Sequence, residues 1–84
     1  MPTLRTGVAT TATSDGLVLL DERTGRYWQL NPNGSRVLSA LLAGVEPGRV
    51  AEDFAAEYRI DLDQARRDVA AVTEMLYSSN LVRA

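Results

Sequence analysis

A chain of 84 residues with no histidine, no cysteine and no lysine lacks the side chains that most catalysis near neutral pH relies on. Its nine basic residues are all arginine, and against eleven acids they leave a net charge of −2. That balance, with the arginines scattered, argues against nucleic acid as the partner and leaves a non-catalytic binding domain as the expectation.

One apolar core must hold the fold, because no disulfide or thiolate–metal staple is available. With 45% hydrophobic and 24% charged residues the composition is that of a globular chain, read as a single domain over residues 1–84. No apolar run approaches the ~20 residues that span a bilayer, and Met1-Pro2-Thr3-Leu4-Arg5 does not resemble a signal peptide, so a cytoplasmic location is expected.

The first third predicts a β-meander. Residues from about Arg5 to Thr13 are rich in Thr, Val and Ala, suited to a strand. Ser14-Asp15-Gly16 signals a turn, Leu17 to Glu22 is an apolar run, and Arg26-Tyr27-Trp28-Gln29-Leu30 is an aromatic-rich third strand. A type I turn over Glu22-Arg23-Thr24-Gly25, with Gly25 left-handed, pairs Glu22 with Arg26, Leu20 with Trp28 and Val18 with Leu30. This register puts Val18, Leu20, Trp28 and Leu30 on the core face. Leu17, Leu19, Tyr27 and Gln29 fall on the other, where the apolar members suggest a second contact surface.

The period then changes from two to about 3.6. Asn31-Pro32 is an N-cap and first-turn pair; Val37, Leu38, Leu41 and Leu42 form one stripe, and Gly44 stops the helix. A second helix runs from Pro47 to about Tyr58, burying Val50, Phe54 and Tyr58. Asp61 with Gln64 has the spacing of a capping box and opens a third helix from about Leu62 to Ser79, with Ala65, Val69, Val72 and Leu76 on one face. Asn80 is the expected C′ residue, after which Leu81-Val82 folds back on the core. The order is βββααα, an α+β domain whose last two helices form a helix-turn-helix-like pair.

Few constellations carry chemistry. Asp61, Asp63 and Asp68 lack the alternating ligands and the glycine of a calcium loop, and first-turn acids suit the helix dipole. Asn33-Gly34-Ser35 is better explained as the first turn of a helix than as an anion cradle. Gln64, Arg66 and Arg67 would serve a DNA-recognition helix, but the three aspartates beside them oppose phosphate. The suggestive feature is the third strand: at a sheet edge it presents unpaired N–H and C=O groups with one arginine and no proline to guard them.

The run Leu19-Leu20-Asp21-Glu22-Arg23-Thr24-Gly25-Arg26-Tyr27-Trp28-Gln29-Leu30-Asn31 resembles the LLDxxTGxYxxLN stretch of the PqqD-like family. Gly34, Val37-Leu38, Leu41-Leu42 and Gly44 resemble its first helix. Asp53-Phe54, Glu57-Tyr58, Asp61, Asp68-Val69, Val72, Met75-Leu76 and Leu81-Val82 resemble its later segment, with Asn80 where the family often has Gly. The likeness covers roughly residues 8 to 83.

Several expectations follow from that resemblance. The family consists of recognition elements for ribosomally made, modified peptides (RiPPs), with a winged-helix-like fold of a three-stranded antiparallel sheet followed by three helices. It implies a precursor's leader bound as an added antiparallel strand on the third strand, in a groove beside the third helix. A free-standing chain of this kind is most similar to the leader-binding subunit of lasso-peptide systems, whose partners are a cysteine leader peptidase and an ATP-dependent macrocyclase. The alternatives are the precursor carrier of the pyrroloquinoline quinone pathway and, more remotely, a winged-helix DNA-binding regulator. On this resemblance Arg26, Tyr27, Trp28, Gln29 and Leu30 supply backbone hydrogen bonds. Trp28 and Leu30 with Val69, Val72, Met75 and Leu76 form the anchor pocket, and Arg26, Arg66 and Asp68 act as rim charges. No catalytic residue, metal or cofactor is expected.

Overall fold

The computed structural model describes residues 1–84. Its helices begin and end where local capping chemistry dictates. Asn31 caps α1 (Pro32–Leu42): its Oδ1 accepts the Gly34 N–H at 2.8 Å, and Pro32 sits in the first turn, where a missing N–H costs nothing. Helix α2 (Pro47–Tyr58) ends at Arg59 in the left-handed conformation. Helix α3 (Leu62–Ser78) starts at Asp61, whose carboxylate accepts the Asp63 N–H. The capping box is only half formed, because the Gln64 side-chain oxygen accepts from Arg67 instead, while its NH2 donates to Asp68. At the other end Asn80 takes φ +58°, and the N–H groups of Asn80 and Leu81 close on the carbonyls of Tyr77 and Leu76. This Schellman motif brings Leu81 onto Leu76, and both are fully buried.

Strands β2 (Val8–Thr13), β3 (Gly16–Asp21) and β4 (Arg26–Leu30) form an antiparallel meander in that spatial order. The predicted α+β order therefore holds, with one addition. The stretch read as a single strand from Arg5 is broken, and a separate short β1 (Thr3–Leu4) pairs with β5 (Val82–Arg83) at the far end of the chain. No helix is long and apolar enough to cross a membrane.

The β3–β4 register differs from the predicted one by a residue. Asp21, not Glu22, lies opposite Arg26; Leu19 faces Trp28 and Leu17 faces Leu30. The cause is the Asp21 carboxylate, which accepts the Arg23 backbone N–H at 3.0 Å and the Arg23 guanidinium at 3.3 Å. The Asp21 carbonyl meanwhile takes the Gly25 N–H at 2.8 Å, so the strand stops there and the loop holds four residues. Gly25 is left-handed as expected. A one-residue slip flips every side chain, so Leu17 and Leu19 face the core in place of Val18 and Leu20. At the other end of β3 a Cβ on Gly16 would lie 1.9 Å from the Leu30 carbonyl oxygen, so only glycine lets the strands close there.

Leu19, Leu30, the α1 stripe Val37-Leu38-Leu41, Val50 and Phe54 of α2, and Ala65, Val69 and Leu76 of α3 form one core with Leu81 and Val82. Helix α1 packs on β3, β4, α2 and α3, while α3 packs along α2. Tyr58, expected inside, is half-exposed: its ring meets Phe54 edge-on and its hydroxyl accepts from Arg36 at 2.8 Å. Arg36 also lies over both rings and pairs with Glu57 at 2.6 Å, so its pKa is raised still further by that carboxylate and then by the Tyr58 hydroxyl.

The register makes a direct prediction. Leu19→Ala removes a side chain with 0% exposure and should cost about 2–5 kcal/mol in chemical denaturation. Leu20→Ala, at a position 38% exposed, should cost well under half of that.

Candidate functional site

β4 is an edge strand, bonded to β3 on one side and to nothing on the other. Which of its groups are free follows from the ladder. The two-residue hairpin closes at Thr13–Gly16, and the Glu22 N–H donates to Gly7, so the even-numbered residues of β3 bond toward β2. The odd-numbered ones bond toward β4, where their partners are Arg26, Trp28 and Leu30. Tyr27 and Gln29 are left to present N–H and C=O outward.

Helix α3 runs antiparallel to β4 alongside this edge. A cavity of about 500 Å³ joins Asn31, just past the end of β4, to Asp68, Ala71 and Val72 around the middle of α3, and is also lined by Phe54, Tyr58 and Ile60. A second, of about 330 Å³, joins Arg26 and Trp28 at the start of β4 to Ser79 and Asn80 at the end of α3. Between them Asp68, Val72, Met75 and Ser79 follow one another at i+4, i+3 and i+4 as a single stripe. The lengths agree: from Arg26 to Asn31 five strand steps span roughly 16 Å at 3.3 Å each, and from Asp68 to Ser79 eleven helical steps span roughly 16 Å at 1.5 Å each. The arrangement is a cleft with a polar edge on one wall, apolar side chains on the other, and a pocket at each end.

The structure distributes the expected site residues over distinct positions. Trp28, Val72 and Met75 are half-buried between cleft and core. Arg26 is exposed and stacks on Trp28, 5.3 Å from the ring centroid, and Asp68 lines the larger cavity. Tyr27 and Gln29 contribute backbone, their side chains pointing to the opposite sheet face. Leu30, Val69 and Leu76 are sealed in the core at 7%, 1% and 0% exposure, so they support the cleft from beneath. Arg66 is not brought to the cleft: it lies nearly half a turn round α3 from Asp68 and pairs with Asp63 at 3.5 Å. Sequence reasoning passed over Ala71, which continues the cleft stripe, and Asn31, taken only as a cap although it also lines the larger cavity.

Asp21 is the one buried charged residue, and it lies beside the smaller cavity. Hydrogen bonds from Arg23 hold its carboxyl below the usual aspartate value, against the opposing effect of burial. The second sheet face carries Val18, half-buried Ala9, and the exposed Leu20 and Tyr27; it is apolar as expected, but Leu17 and Leu19 belong to the core side instead.

A family model described as Coenzyme PQQ synthesis protein D (PqqD) matches residues 16–82. A solved structure described as lasso peptide synthetase B1 complexed with the leader peptide is 35% identical, with a TM-score of 0.90 over 99% of this chain and 98% of its own. Another, TbiB1 in complex with the TbiA(beta) leader peptide, is 30% identical with a TM-score of 0.82, covering 96% of this chain and 94% of its own. No curated protein matches the chain.

Because the folded-state pKa of Asp21 is depressed, its contribution to stability is present above the ordinary aspartate value of 3.8 and is lost as pH falls below it. Asp21→Asn should therefore lower Tm at neutral pH and flatten the acid side of the stability profile, as followed by circular dichroism.

Proposed function

The chain belongs to the PqqD-like family of RiPP recognition elements, and on that footing we propose that it is a non-catalytic subunit which binds a precursor's leader in lasso-peptide biosynthesis. The leader adds as an antiparallel strand to β4 and fills the cleft against α3. Tyr27 and Gln29 offer two donors and two acceptors. At roughly 0.5–1.5 kcal/mol net apiece these provide about 2–6 kcal/mol, similar to the 2–5 kcal/mol that ordering a disordered segment costs. Affinity must then come from apolar side chains of the leader seated on Trp28, Val72 and Met75, at about 25 cal/mol per Å² buried. Arg26 and Asp68 act at the rim.

Held in this way, the precursor is delivered to a cysteine leader peptidase and an ATP-dependent macrocyclase, and the apolar second sheet face is available to such a partner. The single observation that carries the reading is the unpaired edge of β4 facing a helix stripe of equal length whose middle, Val72 and Met75, is apolar. The description of the matched family model would also suit a carrier of the quinone pathway. The near-complete likeness to a lasso synthetase subunit favours the lasso role.

Trp28 is the sole tryptophan and stands in the cleft, so its fluorescence should change on titration with the leader segment of a lasso-peptide precursor. Gln29→Pro removes an outward donor and should weaken binding about two- to tenfold with the fold retained. Unchanged affinity in the folded variant refutes strand addition. Met75→Ala should weaken leader binding with little loss of stability, whereas Leu76→Ala should cost about 2–5 kcal/mol of stability. The opposite ranking would mean that the helix wall is assigned to the wrong stripe.

A further inference from the structure

The two ends of the cleft carry opposite charges, and neither charge is neutralised by the protein. At one end the Arg26 guanidinium lies over Trp28 and makes no ion pair, although the Asp21 carboxylate stands opposite it on β3. The other cation lining that cavity, Arg23, is spent on Asp21. The carbonyls at the adjacent end of α3 are occupied by the Asn80 and Leu81 N–H groups, so the helix terminus offers Arg26 little. At the other end Asp68 is the only charged residue lining the larger cavity. One of its oxygens takes the neutral Gln64 amide, and no arginine pairs with it.

We infer that Arg26 and Asp68 orient the docked peptide, selecting segments with an acidic side chain toward the C-terminal end and a basic one toward the N-terminal end. The inference rests on the strand-addition reading above. A strand antiparallel to β4 begins beside Leu30, where Asp68 waits, and ends beside Arg26. A peptide with the charges reversed, or one entering in the parallel direction with the favoured charge order, meets like charge at both ends. The ends are roughly 16 Å apart along the strand, beyond the ~10 Å Debye length at 0.1 M salt, so each reads its own side chain independently. These are solvent-facing pairs, so each should shift affinity by about two- to fivefold. That is enough to set direction and register while the apolar anchors supply the affinity.

A displayed library of random 12-residue peptides tests this without knowledge of the precursor. Selection on the unaltered protein should enrich an apolar core with acids downstream and bases upstream. On Arg26→Glu the downstream preference should switch to bases while the upstream preference stays; on Asp68→Arg the upstream preference alone should switch. Both residues are exposed, so both variants should keep the far-ultraviolet circular dichroism of the parent, and Arg26→Gln gives a milder arm in which the downstream preference only vanishes. An enriched peptide and its acid-to-lysine variant, titrated against the unaltered protein and against Arg26→Glu, should show the preference invert. A pool that is weakened by Gln29→Pro but carries no charge preference, or the reverse order of charges, overturns the polarity alone. A pool indifferent to Gln29→Pro overturns strand addition and the polarity with it.

Discussion

Helix α1 is the wedge on which the cleft depends. Its buried stripe of Val37, Leu38 and Leu41 packs upward on β3 and β4 and sideways on α3. The sheet and α3 are therefore joined through α1, which holds them apart. Close-packed interiors deform little, so the gap persists only while that stripe is intact. The position of α1 is in turn fixed at its first residues, where Asn31 ends β4 and caps the helix in a single step. The open-edged strand and the helix that holds the cleft open are thus consecutive in the chain, with no loop between them to absorb error.

An unpaired strand edge invites association with any extended chain, and this one is kept narrow. Only Tyr27 and Gln29 expose ladder groups, a two-residue window flanked by the Arg26 side chain and by the turn into α1. Backbone pairing over so short a window is too weak to hold a stranger. Discrimination then passes to the side chains of the helix wall and to the pockets at either end, where shape and charge are specific to this sequence.

What could be read in advance, and what could not, has a common physical cause. Helix limits were legible because each is fixed by neighbours: Asn31-Pro32, Glu46-Pro47, Asp61 and Asn80 act within four residues of themselves. The β3 register was not, because Leu17-Val18-Leu19-Leu20 is apolar throughout and has no alternation to reveal which pair faces inward. Two adjacent acids, Asp21 and Glu22, could each have closed the loop, and the choice falls on Asp21, whose carboxylate takes the Arg23 N–H and guanidinium. The error did not spread to β4, since Trp28 and Leu30 share a face in either register. On α3 the core stripe (Ala65, Val69, Leu76) and the cleft stripe (Asp68, Val72, Met75) are separated by only roughly 70° at 100° per residue, so periodicity merged them. The pairing of β1 with β5 joins the two extremes of the chain, and nothing local announces it.

That last pairing has a mechanical corollary. With Thr3 opposite Arg83, the two ends of the polypeptide leave the domain side by side, about one interstrand spacing of 4.8 Å apart. A host protein could carry the whole unit within a surface loop, entering and leaving at one point, without stretching either molecule. Tension applied through such a graft would unzip the terminal ladder before it reached the meander, leaving the open edge of β4 undisturbed.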